Sequence, residues 1–356
     1  MNFPRTVVLT ATILLATLAF TQTGPTFTPQ SSGTTATLIG LSPVNSNVVW
    51  ASGSGGTFVV TTDGGKHWHA GVVPGAEALP FRDVQGISDK VAYLLSIGSG
   101  TDSRIYRTTD GGATWTAQFI NQNPDAFYDC FAFWNKSRAV AMSDSANGRF
   151  PILRTTDGQT WQDIGDNVTP ALAGEAGFAS SGTCIATQGG QRAWFTTGGA
   201  TPARVIATTD GGDTWNAYPI PLVAGGAGGG FSIAFRDANH GVVGGGDLAN
   251  GTGVSNNFAR SSDGGLTWTL TNPAPINEAI FGLAYAQGAE AVGRTGDNPA
   301  AHTVVATGRK GTAWSPDEGD TWFALPQLNG LWTVAFANPK AGWLAGSNGQ
   351  IVKVSF

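Results

Sequence analysis

The sequence has 356 residues, among them 51 glycines, and only 12% of its residues are charged. This composition is typical of an all-β fold with many short strands joined by tight turns, and it disfavours long helices covered with Lys and Glu. The formal net charge is -5 and no basic run occurs. We therefore expect neither a nucleic-acid partner nor a polybasic membrane anchor.

Residues 1–20 differ from the rest of the chain. Arg5 follows a short polar start, residues 7–20 are apolar or Thr, and Thr17 and Ala19 are small residues before a cleavage point. This pattern predicts a secretory signal peptide and an exported protein, either periplasmic or extracellular. The alternative is a membrane anchor, but about fourteen apolar residues fall short of the roughly twenty that span a bilayer. No membrane span is expected in the mature chain, residues 21–356.

A short motif recurs six times along the mature chain. It reads Ser/Thr-x-Asp-x-Gly-x-x-Trp, the Asp-box pattern, and its copies lie 47 to 54 residues apart, the length of one four-stranded propeller blade. The third copy is one residue short. The Asp and Trp of the six copies are Asp63 and Trp68, Asp110 and Trp115, Asp157 and Trp161, Asp210 and Trp215, Asp263 and Trp268, and Asp317 and Trp322.

Each copy of the motif has the chemistry of a tight hairpin. Asp-Gly between two extended runs is a strong turn signal, because glycine accepts a positive φ and the Asp side chain accepts hydrogen bonds from nearby amides. The Trp that follows begins the next strand and has a large apolar surface to pack. We expect the motif to close a hairpin and fasten it to its own blade, as a structural element rather than a catalytic one.

The number of blades follows from the strand-like runs around the motifs. Runs at 81–87 and 90–97 precede the second motif, and runs at 279–284 and 289–293 precede the sixth. After the sixth motif, residues 331–354 supply three strands of a further unit, and residues 25–32 are the natural donor of its fourth strand. The prediction is one seven-bladed β-propeller domain whose ring is closed by an N-terminal strand. Six blades with a C-terminal appendage is the alternative.

With these repeats, the chain resembles the photosystem II stability/assembly factor family of seven-bladed propellers, within the wider group of sialidase-type (BNR) Asp-box repeat proteins. The six motifs and the closing Gly-Trp-Leu-Ala-Gly at 342–346 carry the resemblance, which covers roughly the whole mature chain. It implies a propeller that assists the assembly or stability of a partner. The Asp-box itself says little about function, because the same box occurs in enzymes, receptors and assembly factors.

Candidate binding residues stand where the first strand of a blade opens, because those strands line the central channel of a propeller. They are Arg82, Asp83, Tyr128, Asp129, Glu175 and Glu278. One interpretation is a polar site in which Arg82 binds an anion or carbonyl and Asp129 and Glu175 form an acid/base pair. The other is that these charges pair with one another and fill the channel as a structural network.

Other kinds of site have weak support. The arginine trio and Tyr nucleophile of a sialidase do not match, and His67 and His69 share a strand face without a visible third metal ligand. No nucleotide-binding or zinc motif occurs, so we predict no metal, no cofactor and no catalytic residue. Cys130 and Cys184 either form a disulfide in an oxidising compartment or remain two buried thiols.

We therefore expect an exported, non-enzymatic β-propeller that binds a protein or peptide partner, such as a subunit of a membrane complex. It would act as an assembly or stability factor or as an interaction scaffold. The alternative is a glycoside hydrolase, sialidase-like or otherwise glycan-acting, that uses carboxylates at the channel mouth.

Overall fold

The structure is a computed structural model that describes residues 24–249, 255–287 and 299–356. These residues form 28 strands and four one-turn 3₁₀ helices, and all strand pairing within the sheets is antiparallel. The 3₁₀ turns are Gly100–Asp102, Gly165–Asn167, Pro299–His302 and Ser347–Gly349. The predicted signal peptide and the predicted strand at 289–293 lie outside the described residues.

The strands form seven four-stranded sheets, each built from consecutive strands except at the ring closure. Blades 1 to 3 comprise β2 (Leu38–Pro43), β3 (Val49–Gly53), β4 (Thr57–Thr61) and β5 (His69–Val72); β6 (Phe81–Gly86), β7 (Ala92–Ser96), β8 (Arg104–Thr108) and β9 (Thr116–Ile120); and β10 (Tyr128–Phe133), β11 (Ala139–Ser143), β12 (Ile152–Thr155) and β13 (Gln162–Asp163).

Blades 4 to 6 follow the same order. They comprise β14 (Ile185–Gln188), β15 (Arg192–Thr196), β16 (Arg204–Thr208) and β17 (Asn216–Pro219); β18 (Gly228–Phe235), β19 (Gly241–Asp247), β20 (Phe258–Ser261) and β21 (Thr269–Leu270); and β22 (Gly282–Tyr285), β23 (Val304–Gly308), β24 (Gly311–Ser315) and β25 (Phe323–Ala324). The second strand of blade 6 is therefore β23.

The seventh blade closes the ring. It consists of β26 (Leu331–Asn338), β27 (Ala341–Gly346), β28 (Gln350–Ser355) and the N-terminal β1 (Thr26–Ser31). The strand β1 pairs with β28 along its whole length, from Thr26 opposite Ser355 to Ser31 opposite Gln350. The predicted seven blades and the predicted N-terminal closing strand are confirmed, and the six-blade alternative is wrong.

The core lies between the blades rather than inside them. Seven apolar clusters each combine buried side chains of two neighbouring blades, including the pair of blades 7 and 1, and a smaller eighth cluster contains Phe231, Ala279 and Phe281. The motif tryptophans take part in this packing: Trp115 of blade 2 lies 5.2 Å from Phe58 of blade 1, and Trp322 of blade 6 lies 4.9 Å from Phe258 of blade 5. The motif was expected to fasten the hairpin to its own blade, and its Trp also packs against the neighbouring blade, because a face-packed sheet buries large side chains against the next sheet.

All six motif hairpins share one hydrogen-bond pattern. In the blade 2 hairpin the Thr108 hydroxyl donates to Asp110, the Gly112 amide donates to the Thr108 hydroxyl, and the Thr114 amide donates to Asp110 Oδ1 at 2.9 Å. The short third copy keeps the equivalent bonds between Thr155, Asp157, Gly158 and Thr160. The turn is thus fastened by its own side chains, and the Asp remains at the surface.

The strand order gives the ring two distinct faces. The first strand of each blade begins at one face, called here the upper face, where the second-to-third hairpins also turn. The motif hairpins turn at the opposite, lower face. In the described parts of the chain no helix is long and apolar enough to cross a membrane.

Candidate binding site at the upper mouth

β-Bulges aim side chains into the upper opening of the channel. Five first strands shift register by one residue near their start, and the residue inside each shift is extra relative to the partner strand. A bulge bends the strand and re-aims the extra side chain, and bulges are frequent next to functional sites. The five extra residues are Ile39, Arg82, Asp129, Phe231 and Trp332. We call the opening that they surround the upper mouth.

Four rings form a continuous aromatic arc on one half of the upper mouth. Phe178 and Phe231 stack with centroids 3.9 Å apart, Phe231 lies 6.1 Å from Phe281, and Phe281 lies 5.3 Å from Trp332. Phe231 and Phe281 are buried, whereas Phe178 and Trp332 are partly exposed. The arc therefore offers an apolar, partly solvent-accessible wall contributed by blades 5 to 7 and the segment that leads into blade 4.

Arg82 meets the end of this arc from the other side of the mouth. Its guanidinium carbon lies 5.3 Å from the Trp332 ring centroid, within cation–π range. Its Nε is buried and has no hydrogen-bond partner among the described residues. Burial lowers the pKa of Arg82, while the nearby Asp129 acts in the opposite direction. One buried donor of the guanidinium, its Nε, is thus held at the mouth without an acceptor in the described chain.

Asp129 and Asp144 form an acidic pair beside Arg82. Burial, and then the charge of Asp144, raise the pKa of Asp129 well above its ordinary value. Burial also raises the pKa of Asp144 to about 6, although the Gly177 amide donates to its Oδ1 at 2.7 Å. Asp129 is 1% exposed and its Oδ2 has no partner in the described part of the chain.

Residues 177–183, which we call the plug, cross the channel below the upper mouth. The Ser181 hydroxyl donates to the Phe281 carbonyl in blade 6, and the Thr183 carbonyl accepts from the Ile233 amide in blade 5 at 2.8 Å. The Gly182 backbone packs against the carboxylate of Asp83 in blade 2 so closely that no Cβ would fit there. The plug thus separates the upper mouth from the lower part of the channel.

A disulfide fixes the lower end of the plug. It joins Cys184, which directly follows the plug, to Cys130 in β10, with the two Cα atoms 6.2 Å apart. Both cysteines are completely buried. Because Cys130 is the neighbour of Asp129, the disulfide connects the plug to the same strand that carries half of the acidic pair.

Below the plug lies a lower chamber of about 340 Å³. Its walls combine apolar side chains with five alanines at the same position of five successive first strands: Ala132, Ala186, Ala234, Ala284 and Ala335. No unpartnered buried polar atom is found among its lining residues in the described chain. The lower chamber therefore lacks, in the part of the chain described, the unpartnered polar groups of a binding site and resembles a solvent-filled part of the channel.

The remaining predicted site residues are occupied by contacts within the protein. The carboxylate of Asp83 accepts from the Val84 amide at 2.7 Å and from the Phe131 amide at 2.9 Å. Tyr128 is buried against Phe119, with ring centroids 5.4 Å apart, and burial raises its pKa. Neither side chain is available to a ligand in this arrangement.

Both predicted glutamates are ion-paired on the upper face. Glu175 binds Arg204 and accepts from the Thr197 hydroxyl at 2.6 Å. Glu278 binds Arg309, at 3.1 Å, and accepts from the Lys310 amide. The charges that act on Asp129 are those of Asp144 and Arg82, and Glu175 is not among them.

Several mouth residues were not predicted from the sequence. Asp144 follows the second strand of blade 3, so a search restricted to first strands omits it. The aromatic arc had a usable signal: Phe231, Phe281 and Trp332 each stand three residues before an Ala in the first strands of blades 5 to 7. Aligning the repeats on that Ala would have placed them on one ring with Asp129, which stands three residues before Ala132, whereas blade 2 has Gln85 at that position. Among the described residues, no group of three or more His, Cys, Asp or Glu is arranged to hold a metal ion.

Comparison with known proteins supports the fold. No family model and no curated protein matches the sequence. The structure of YCF48 bound to D1 peptide is similar, with a TM-score of 0.65 and 17% identity over 93% of this chain and 97% of that chain. YCF48 from Cyanidioschyzon merolae gives a TM-score of 0.62 at 16% identity over 92% and 98% of the two chains. The WD40 β-propeller domain of Doa1 gives 0.56 at 12% identity over 92% and 97%. At these identities the likeness shows the propeller fold alone.

Proposed function

We propose that this protein is a non-enzymatic β-propeller that holds a protein or peptide segment at its upper mouth. The proposal rests on an apolar wall and unpartnered polar atoms that lie together at the upper mouth. The aromatic arc faces a set of buried polar atoms without partners in the described chain, namely Arg82 Nε, Asp129 Oδ2 and Ser180 Oγ. Buried polar atoms are almost always paired, so these atoms indicate a ligand or water that completes them.

A peptide has the chemistry that this arrangement requires. Its apolar side chains would stack against the partly exposed Phe178 and Trp332, since aromatic residues dominate the energy of binding interfaces. Its backbone carbonyls and amides would pair with Arg82 and Asp129. The similar propeller YCF48 was solved bound to D1 peptide, which supports a peptide as the class of partner.

The cellular role is part of the same proposal. The signal-peptide pattern at 1–20 supports export of a single propeller domain spanning residues 21–356. The Asp-box repeats and the resemblance of the sequence to the photosystem II stability/assembly factor family support a role as an assembly or stability factor, with a membrane-complex subunit as one class of partner. The rigid upper-face loops around a concave mouth suit such a role.

Selection from a phage-displayed dodecapeptide library tests the proposal. We expect the wild-type protein to enrich related peptides, and Arg82→Ala and Trp332→Ala each to weaken their binding by roughly tenfold or more, as interface hot spots do. Arg138→Ala is the matched control, because Arg138 lies on the lower face over Trp134 at a similar distance, 5.5 Å. Enrichment of nothing, or equal loss with Arg138→Ala, would contradict binding at the upper mouth.

A glycan hydrolase is the second candidate, and the acidic pair is the observation that favours it. A carboxyl group with a raised pKa, such as Asp144, is suited to general-acid catalysis beside a second carboxylate. Incubation of the protein with a panel of glycans decides this candidate. Turnover that Asp144→Asn abolishes would support it, whereas no turnover of any glycan would reject it.

A further inference from the structure

The entrance to blade 4 differs from the entrances to the other blades. Its first strand β14 begins at Ile185 and is four residues long, as is β22 of blade 6, but in the described chain only β14 is preceded by a segment bonded to several other blades. The seven residues of the plug, 177–183, precede it inside the channel, where five other blades have a bulged first strand. Blade 6 also lacks a bulge, but there Phe281 continues the pairing with its own blade through the Thr307 carbonyl, whereas residues 181–183 bond to blades 5 and 6.

The plug contacts most parts of the upper mouth. At its start, the Gly177 amide donates to Asp144, and a Cβ on Gly177 would lie 2.7 Å from Asp129 Oδ2. Phe178 is the first ring of the aromatic arc and stacks on Phe231. Ser180 carries one of the unpartnered buried atoms. One short segment thus touches the acidic pair and supplies both apolar and polar groups to the mouth.

The lower half of the plug is fastened to the surrounding blades. Thr183 donates from its hydroxyl to Ser232 at 2.9 Å and accepts from the Ile233 amide through its carbonyl. Gly182 lies against Asp83, whose carboxylate is itself fixed by two amides. The disulfide from Cys184 to Cys130 follows directly. Such a segment has few ways to move without breaking several buried contacts.

We infer that the plug is the positioning element of the upper mouth: it closes the channel, so that a partner enters from the upper face only, and it holds Phe178 and the acidic pair in their binding arrangement. The effect of the plug on partner affinity rests on the proposed function, whereas the contacts that hold the plug in place do not depend on it. Pre-organised groups bind more tightly because less ordering is needed on association. Residues 177–183 therefore determine affinity, although most of them need not touch the partner.

Gly182→Ala tests the inference, with Gly190→Ala as a matched control. A Cβ at position 182 would overlap the Asp83 carboxylate, whereas nothing lies within 4 Å of a Cβ at position 190 in the same blade. Neither glycine has a positive φ, so an added methyl group acts through space alone. The Ile233 amide donates to the Thr183 carbonyl, and we expect Gly182→Ala to speed hydrogen exchange of this amide. We also expect it to weaken binding of the selected dodecapeptides by roughly tenfold. Gly190→Ala is expected to change neither.

The two measurements separate the possible failures. If hydrogen exchange of the Ile233 amide is unchanged in a folded Gly182→Ala protein, the inference that the packing of Gly182 fixes the plug is wrong. Faster exchange with unchanged affinity would overturn its positioning role. Phe178→Ala serves as the second variant if Gly182→Ala does not fold. It removes one ring of the aromatic arc and is expected to weaken binding of the selected peptides. Unchanged affinity of this variant would also overturn the inference. If the wild-type protein selects no peptide, the proposed function fails while the exchange result still decides the fastening.

Discussion

At the scale of single residues, the upper mouth depends on side chains that bulges place at one height in the channel. The sequence pointed to Arg82 and Asp129 because both open a first strand. It did not reveal that Asp144 rather than Glu175 is the carboxylate that acts on Asp129, since Asp144 comes from a different hairpin. Local pattern shows which residues begin a strand, but the electrostatic neighbours of a buried group depend on how the blades meet.

Asp144 leads to a prediction about pH. Burial raises its pKa from 3.8 to about 6, so between these values the folded protein binds more protons than the unfolded chain, and stability falls as the pH rises. Relative to Asp144→Asn, the wild-type protein is expected to lose unfolding free energy between pH 4 and pH 7, on the order of 1–3 kcal/mol. Urea unfolding of both proteins at the two pH values measures this. A constant difference between them would contradict the shift.

At the scale of the element, the motif hairpin is the unit that the sequence describes best. Its turn, its capping hydrogen bonds and its position between the third and fourth strands follow from seven or eight contiguous residues. The sixth hairpin is the exception, because Glu318 occupies the positive-φ position that is Gly264 in the fifth. Glu318 is paired with Arg236 of blade 5 at 2.6 Å and accepts from the hydroxyl of Tyr285 in its own blade, and the motif predicts neither contact.

The hydroxyl of the motif provides the test at this scale. Thr208 is buried, and its Oγ1 accepts from the Gly212 amide at 3.0 Å and donates to Asp210 at 2.7 Å. Thr208→Val keeps the shape but leaves that buried amide unpaired, so the unfolding free energy is expected to fall by about 1–3 kcal/mol. The adjacent Thr209 is exposed, and Thr209→Val is the control. Equal urea midpoints for the two variants would show that the hydroxyl contributes little.

At the scale of the whole molecule, the number of blades could be predicted because six units each carry one motif and the residues after the sixth motif supply three strands that lack a fourth. The blocking of the channel could not be predicted, because the plug does not follow the repeated strand pattern of the blades. A segment such as 177–183 has no counterpart in other blades to align with. Its path depends on Asp83, Phe281 and Ile233, which belong to three different blades.

The motif aspartates predict how the whole ring responds to acid. Hydrogen bonds from the Thr114 hydroxyl and amide lower the pKa of Asp110 to about 2, and amides of Thr160 and Gln159 lower that of Asp157 to about 2. Groups with lowered pKa stabilise the fold above their unfolded value, near 4, and this contribution is lost as the pH falls toward 2. We expect the thermal midpoint to drop steeply between pH 4 and pH 2. Circular dichroism melts over that range measure it, and a flat profile would contradict the role of the hairpins.

The pairing of β1 with β28 also constrains when the ring can close during folding. The hydroxyl of Thr26 donates to the Ser355 carbonyl, a contact between residues 329 positions apart in the chain. The strand β1 is therefore without its partner until β28 has been synthesised, and β28 then has an unpaired edge until β1 pairs with it. Completion of the ring therefore requires both ends of the described chain, and no earlier part of it can close the circle alone.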